Sequence, residues 1–539
     1  MKTRNMKYSI AIGLIATMMM GATSCSEDLL DIQQHGVETT EVYRTADNDQ
    51  VQQFMASIYA TIRGDEVMNV MGGMIGKNKT CHALMQLNLG QMADEAADGF
   101  TYQESSASAT YSLIWSHFYT ICYYCGMVID NMPSNTTATA AIKDQAVAES
   151  RAIRAWAMMN LVQLYGSAPL ADHILDGTEG NTPVADSWAW IEKEFNEAAP
   201  ALPTKSGKDG QQAIGGRLTR EAVYAWLGKA QLWQGHYAEA ARTLHDNVIA
   251  TGKYELLANF DDINRAVSDF SAENIWEFDF NEDADNMLSQ VGKHDCYLCP
   301  NINWSASTRF AHTFMHYGTA SCASKEVWDF FVAHDGMQSP RLRGSVQDVE
   351  MVVADGGEIT YPYAGSQGYF KVKGIMRKED ETGNFYSNAF SKKNPVFMRY
   401  AEVLLNYAEA VCMGGQNGST LSGLDALNLV RRRAGLADAP SLDMDNATYG
   451  IKAERRAELY LEGQRYIDLV RWGDAATVLA STGKQTYQLV SGEKQADGTY
   501  NVITTPTGNP GWKSGKNELF PFPDSDVNNN PALTQNPGW

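Results

Sequence analysis

Apolar residues recur every three or four positions along most of this chain, the period of a helix that buries one side. From Glu149 to Tyr165 the stripe runs through Ile153, Trp156, Ala157, Leu161 and Leu164, and Gly166 and Pro169 mark its end. Thr219 reads as the cap of a helix carrying Ala222, Ala225, Trp226 and Leu232. Gln234-Gly235-His236 then turns the chain, and Ala238 to Ala250 forms a second helix. Within this pair, Leu227-Gly228 and Gly235-x-Tyr237-x-x-Ala240 are cues of a tetratricopeptide unit. Tyr400 to Cys412, a glycine-rich turn at Gly414 to Gly418, and Leu424 to Ala434 make a comparable hairpin, and Ile451 to Ala475 adds a helix pair about Glu462-Gly463-Gln464. The pattern predicts a mainly α fold with helical hairpins as its scaffold.

Two regions break the helical period. Between Tyr254 and about Gly374 the chain is rich in Asn, Ser, Gly and clustered aromatics, and only Ile275 to Phe280 reads strongly as a strand, with Trp276, Phe278 and Phe280 alternating onto a core face. Loops on a helical scaffold are expected there. The last sixty residues, rich in Gly, Pro, Asn and Thr, are expected to wrap as loops and short strands.

The first 24 residues carry Lys2, Arg4 and Lys7, no acid, and an apolar stretch from Ile10 to Met20 that is too short for a bilayer span of roughly 20 residues. Gly21, Ala22, Thr23 and Ser24 then lead to Cys25. A small-residue run ending in Cys is similar to a bacterial lipoprotein cleavage box, with Ala22 in place of the commoner Leu; ordinary secretion with Cys25 incidental is the alternative. The expected organisation is a signal segment over 1–24, a lipidated Cys25 with a flexible tether over 25–45, and a globular body over 46–539.

Composition narrows the ligand. In 539 residues, 43 Lys and Arg stand against 64 Asp and Glu, a formal charge of -21, and setting aside the three early basic residues takes it to -24. Such a surface repels phosphate backbones and anionic polymers, so no nucleic acid is expected as partner, and neutral or cationic ligands remain. Seven cysteines follow Cys25: Cys81, Cys122, Cys125, Cys296, Cys299, Cys322 and Cys412, an odd number that leaves at least one unpaired in the chain. The two C-x-x-C pairs lie too far apart for a compact zinc site, and Cys122 and Cys125 sit in an apolar helical stretch where thiols pack as small hydrophobes. Gly72 to Asn78 misses the spacing and the Ser/Thr of a phosphate loop. His312 and His316 lack the Glu of a zincin, and no G-x-S-x-G elbow occurs. No catalytic residue, metal or cofactor is assigned.

Four long segments, in order, resemble one family. They are Asn394 to Ala410, with Arg399-Tyr400-Ala401-Glu402; Ala426 to Gly435; Glu454 to Trp472; and Leu519-Phe-Pro-Phe-Pro523 with Asn530 to Gly538. These resemble the SusD/RagB-like outer-membrane nutrient-binding lipoproteins, with Ser339-Pro-Arg-Leu342 similar to that family's Asp-Pro-Arg segment except for Ser339. The likeness runs from about Cys25 to Trp539. It implies a SusD-like fold and a non-catalytic lipoprotein, lipid-anchored at the cell surface of the outer membrane. Such a protein captures oligosaccharides and delivers them to a SusC-like TonB-dependent transporter. A RagB-like peptide-capturing subunit is the runner-up, and a surface glycoside hydrolase a distant third. Arg399, Glu402, Glu409, Glu454, Arg455, Glu458, Glu462 and Arg465, at helical spacings, are expected to form scaffold ion pairs rather than ligand contacts.

In this family the glycan surface is built from variable loops, so the candidates rest on residue type and place. Sugar recognition needs aromatic faces for C–H stacking and amides, carboxylates or Arg for hydroxyls. Asp94 to Gln103 and Cys296 to Phe310 offer both. The expected ligand-binding residues are Trp304 and Tyr297 first, then Phe100, Tyr102, Asp98, Asn301, Asn303 and Arg309, with loop packing or transporter contact as the alternative for each.

Overall fold

The computed structural model describes residues 40–63, 89–90, 92–97, 99, 101–102, 104–207, 216–278, 300–311, 322–381 and 393–539. Cys25, Cys81, Cys296, Cys299, the Gly72 to Asn78 segment, His312 and His316 lie outside them, as does Phe280.

Helices of eight or more residues are numbered in chain order. They are α1 (Asn48–Arg63), α2 (Ala109–Asn131), α3 (Ala140–Tyr165), α4 (Val184–Ala198), α5 (Arg220–Trp233), α6 (Tyr237–Asn247), α7 (Lys325–His334), α8 (Tyr400–Cys412), α9 (Gly423–Arg433), α10 (Ile451–Glu458) and α11 (Arg465–Trp472). Helices α2 to α6 pack each on the next, α6 then packs on α8 and α8 on α9, which makes a continuous helical array. The expected mainly α scaffold is therefore present. Its caps follow the sequence: the Thr219 hydroxyl accepts the N–H of Ala222 at the start of α5, and α3 stops at Gly166, which adopts φ 70°. Among the described residues no helix is long and apolar enough to cross a membrane.

A short helix over Thr40–Thr45 precedes α1, with Tyr43 buried and the Asn135 amide donating to the carbonyls of Tyr43 and Ala46. The packed body thus takes in residues that the sequence assigns to the tether.

Two cores form. The larger gathers α1 to α6, α8 and α9, with Trp156, Trp226, Trp276 and Phe397 in one aromatic cluster. Strand β1 (Asn274–Glu277) is buried at every position rather than alternately, because it is covered on both faces while pairing with β5 (Val396–Arg399). The smaller core is built where loops are expected. It contains α7, β2 (Val346–Asp348) paired with β4 (Tyr369–Lys371), and a three-stranded sheet in which β6 (Gln485–Lys494) lies between β3 (Tyr363–Ala364) and β7 (Tyr500–Pro506). Ser324 caps α7 by accepting the N–H of Val327, and Val327, Trp328 and Phe331 face that core.

Buried ion pairs join the two cores. Arg341 is 0% exposed and binds Asp335 at 2.8 Å, Glu454 at 2.5 Å and Glu458 at 3.3 Å. Arg399 reaches Glu273, Glu458 at 3.0 Å and Glu462 at 2.5 Å, while Arg433 adds to Glu273 and Glu458, and Lys373 to Glu462 at 2.6 Å. Arg455 and Arg471 share Asp468 at 2.9 Å each, and Arg471 also holds Glu409 at 2.5 Å. Charges taken out of water are tolerated here because every one faces an opposite charge. This is the scaffold role expected of the motif residues. Ser339 fits it too: it caps a short helix (Pro340–Ser345) by accepting the N–H of Arg341, where the family has an acid.

Candidate functional site

The structure brings Ala97 of the first expected ligand segment together with Ile302, Trp304 and Phe310 of the second in the smaller core, while Tyr102 packs in the larger one. Asp94 pairs with Arg456 at 2.6 Å and Arg465 at 2.8 Å, which fixes the first segment to α10 and α11. Burial raises its pKa, but the two guanidinium groups outweigh that and hold the carboxyl well below the usual range. The N–H of Ala97 donates to the carbonyl of Cys322 at 3.0 Å, and Ala97 shares the smaller core with Trp304.

Trp304 does not present a ring to solvent. It is 1% exposed, packs on Phe310 with centroids 4.6 Å apart, and covers Gly357, where an added Cβ would come within 2.7 Å of its Cζ3. A sugar would have no free face to stack on, so the packing alternative replaces the expected contact. Tyr102 is corrected for the same reason: it is 4% exposed, its hydroxyl donates to the carbonyl of Met92, and its ring meets Trp512 edge-on at 5.4 Å. Arg309 lies over the Phe310 ring and donates to Asp355 at 2.9 Å, Asp261 at 3.1 Å and the Arg343 carbonyl at 3.2 Å. It cross-links the scaffold.

Asn301 and Asn303 stay exposed. The Asn301 N–H donates to the Tyr363 hydroxyl at 2.7 Å; the Asn303 amide donates to Glu358 at 3.0 Å and its oxygen accepts from Ser305. Together they hold an open polar rim over the smaller core. Tyr297, Phe100 and Asp98 lie outside the described residues.

A second concavity, of about 560 Å³, lies across the molecule's larger core and is absent from the sequence reading. Its floor is the aromatic row Trp115, Tyr119 and Tyr123 on α2, at i, i+4 and i+8, with Tyr124 beside it. The row reads as core from its period alone, yet Tyr123 is 44% exposed. One wall is the loop after α3: the Tyr119 hydroxyl donates to the Pro169 carbonyl at 2.7 Å, and Ile174 sits so close to Gly126 that any Cβ there would lie 2.9 Å from its Cγ1. The opposite wall is the C-terminal segment. It returns to α3 through the Phe520 N–H donating to the Leu164 carbonyl at 2.7 Å, and it sets Asp526 to accept the Trp115 indole N–H at 2.6 Å. The signal that could have exposed the cavity is the Phe520-Pro-Phe522 ending, since it docks on the same helix pair.

Comparison with known proteins adds the relatives. A model of the SusD family matches residues 276–539. A SusD-like protein of Bacteroides ovatus is 24% identical, over 81% of this chain and 83% of its own length, and SusD-like protein P25 of Formosa agariphila is 21% identical, over 85% and 88%. Among solved structures, a laminarin-binding SusD-like protein superposes with a TM-score of 0.69 at 23% identity, covering 92% of this chain and all of that one. Surface glycan-binding protein A from Bacteroides thetaiotaomicron, in complex with laminarihexaose, superposes with a TM-score of 0.67 at 19% identity, covering 91% and 100%.

Proposed function

We propose, from the SusD family model that matches residues 276–539 and from the SusD-like relatives, that the chain is a SusD-like, non-catalytic, surface glycan-binding lipoprotein. It captures neutral oligosaccharides and delivers them to a SusC-like TonB-dependent transporter. The observation that supports this most is the end-to-end match with solved proteins named for binding laminarin and laminarihexaose, reached on a chain with 64 acidic against 43 basic residues. Negative charge disfavours anionic cargo, while neutral sugars are indifferent to it. The exposed Asn301 and Asn303, with Tyr297, Phe100 and Asp98 of the neighbouring segments, are the residues proposed for the loop face. Aromatic rings there would stack on sugar C–H faces and the amides would bond hydroxyls.

Capture has to be reversible, which sets affinity between about micromolar and millimolar, or about 4 to 8 kcal/mol. A calorimetric screen of neutral oligosaccharides against peptides, with chromatography of each glycan after incubation, tests the reading. Binding of a glycan without product release is expected; peptide binding alone, or glycan cleavage, sinks it. The anchor is proposed at Cys25, where several acyl chains contribute about 0.8 kcal/mol per buried methylene. Cys25→Ala should move the protein from the membrane to the soluble fraction, and a variant that still sediments with membranes lacking the transporter rules the anchor out.

A further inference from the structure

We propose that the concavity between α2, the loop after α3 and the C-terminal segment is a second binding site for a neutral oligosaccharide, separate from the loop face. The proposal rests on the glycan reading above.

The cavity's volume of about 560 Å³ falls in the range of about 300 to 1,000 Å³ typical of small-molecule sites. Its chemistry is that of sugar recognition. Tyr123 presents an exposed ring at the mouth and Tyr119 a half-buried one a turn below, with Trp115 buried beneath them as the floor; the open ring suits the apolar C–H face of a pyranose. Hydroxyl partners are close by: the side chains of Tyr123, Tyr124 and Asn529 form no hydrogen bond with another described residue, so their donors and acceptors are available to a ligand.

Charge selects the ligand class. Among the described residues the lining holds the carboxylates of Asp526 and Glu179 and contains neither Lys nor Arg. His173, on the rim, is held by Asp172 at 2.6 Å and Glu179 at 3.3 Å, so any positive charge it takes up is already countered. A uronic or sulfated glycan, a phosphate ester or a carboxylate would meet two negative groups and no cation. A neutral sugar meets aromatic surface and acceptors.

The walls are also built rather than accidental. Asp526 is fixed by the Trp115 indole, and Glu179 accepts the N–H groups of Asp176 and Gly177 at 2.9 and 3.0 Å. The Asn530 amide donates to the Glu179 carbonyl at 2.7 Å and ties the two walls together. Pre-set walls lower the entropy cost of holding a ligand.

The test uses laminarihexaose, maltohexaose, cellohexaose, xylohexaose and mannohexaose as neutral probes and hexagalacturonate as the charged one. Titrations compare the full chain with Tyr123→Ala, Asn529→Ala and, on the loop face, Asn303→Ala. Ser116, exposed on the cavity's edge, is changed to Cys and its alkylation followed by peptide mass spectrometry. Expected is a neutral hexasaccharide whose affinity falls about three- to tenfold in Tyr123→Ala and in Asn529→Ala, and which protects Ser116→Cys from alkylation, while hexagalacturonate does neither. Should a glycan bind with unchanged affinity in both cavity variants and leave alkylation unchanged, the second site is overturned and the glycan reading stands. Failure of every neutral probe to bind overturns both, and protection by hexagalacturonate overturns the charge argument. Melting temperatures within a degree or two of wild type keep the affinity changes local to the site.

Discussion

Trp304, Tyr102 and Arg309 have the residue types of a sugar site, and all three are spent on the protein itself. Trp304 fills the smaller core against Phe310 and Gly357. Its removal leaves a void that neighbours fixed by backbone bridges cannot close. Trp304→Ala should therefore cost about 3 to 5 kcal/mol of stability, seen as a large drop in the urea midpoint, whereas a ligand-facing ring in a loop would leave the midpoint unmoved. Residue type identifies what a side chain can do; only its surroundings decide whether the face is free. That is why Asn301 and Asn303, which are exposed, remain proposals for the loop face while the buried aromatic beside them does not.

At the level of elements, the helical hairpin α5–α6 shows two local preferences in conflict. Leu227-Gly228 was legible as a tetratricopeptide cue, and the reason is steric: a Cβ on Gly228 would lie 2.4 Å from Cγ of Leu244 on α6. Gly228→Ala gains about 1 kcal/mol in helix propensity but overpacks the contact at a cost of about 1 to 3 kcal/mol. The expected balance is a net loss of about 1 to 2 kcal/mol in chemical denaturation; a stabilised variant would mean that the hairpin opens freely to admit the methyl. The same level explains the missed strands. Strands β2, β3 and β4 are only two or three residues long, too short for an alternation to register, whereas β6 and β7 fall in the ending where short strands are expected. Helix α7 is ten residues long and falls inside a stretch whose Gly, Asn and Ser content masks its stripe.

For the whole molecule, the ion-pair layer between the cores sets how stability responds to pH. Burial raises the carboxyl of Glu462, but Arg399 and Lys373 outweigh it and bring it down to about 2. Its stabilisation is complete above the unfolded value near 4.5 and is lost as pH falls through about 2. Glu277 acts in the opposite sense. Burial, then Asp269, pushes it up to about 7 against the hydrogen bonds from Asn274, Asn394 and Phe270. The folded state thus holds a proton that the unfolded chain gives up between pH 4.5 and about 7, so stability falls across that window. A shift of this size corresponds to about 3 kcal/mol. Unfolding in urea at pH 5 and pH 8 should show wild type weaker at pH 8, and Glu277→Gln should remove part of that difference whatever it costs at pH 5, the rest staying with Glu95, which burial also pushes up to about 7, and Glu149, which burial raises too. Equal differences in the two proteins would place the pH sensitivity elsewhere.

The sequence by itself determined the mainly α class, the scaffold hairpins, their caps and turns, and the likeness to the SusD family that the model matching residues 276–539 also finds, because helix period, capping chemistry and long ordered motifs are local in the chain. It also assigned the motif charges to scaffold, although the partners lie across elements, as Arg399 with Glu458 and Arg471 with Glu409, rather than along one helix face. Tertiary structure decided what locality cannot. It gathered Ala97 and apolar residues of 302–310, 322–375 and 457–461 with Leu489 and Tyr500 into a second core, and in doing so buried Trp304. It brought the C-terminal segment back onto α2 and α3, burying Trp115 of an aromatic row that reads as core and leaving Tyr123 exposed at its end. Burial depends on which distant segment covers a face, and nothing in a residue or its near neighbours carries that information.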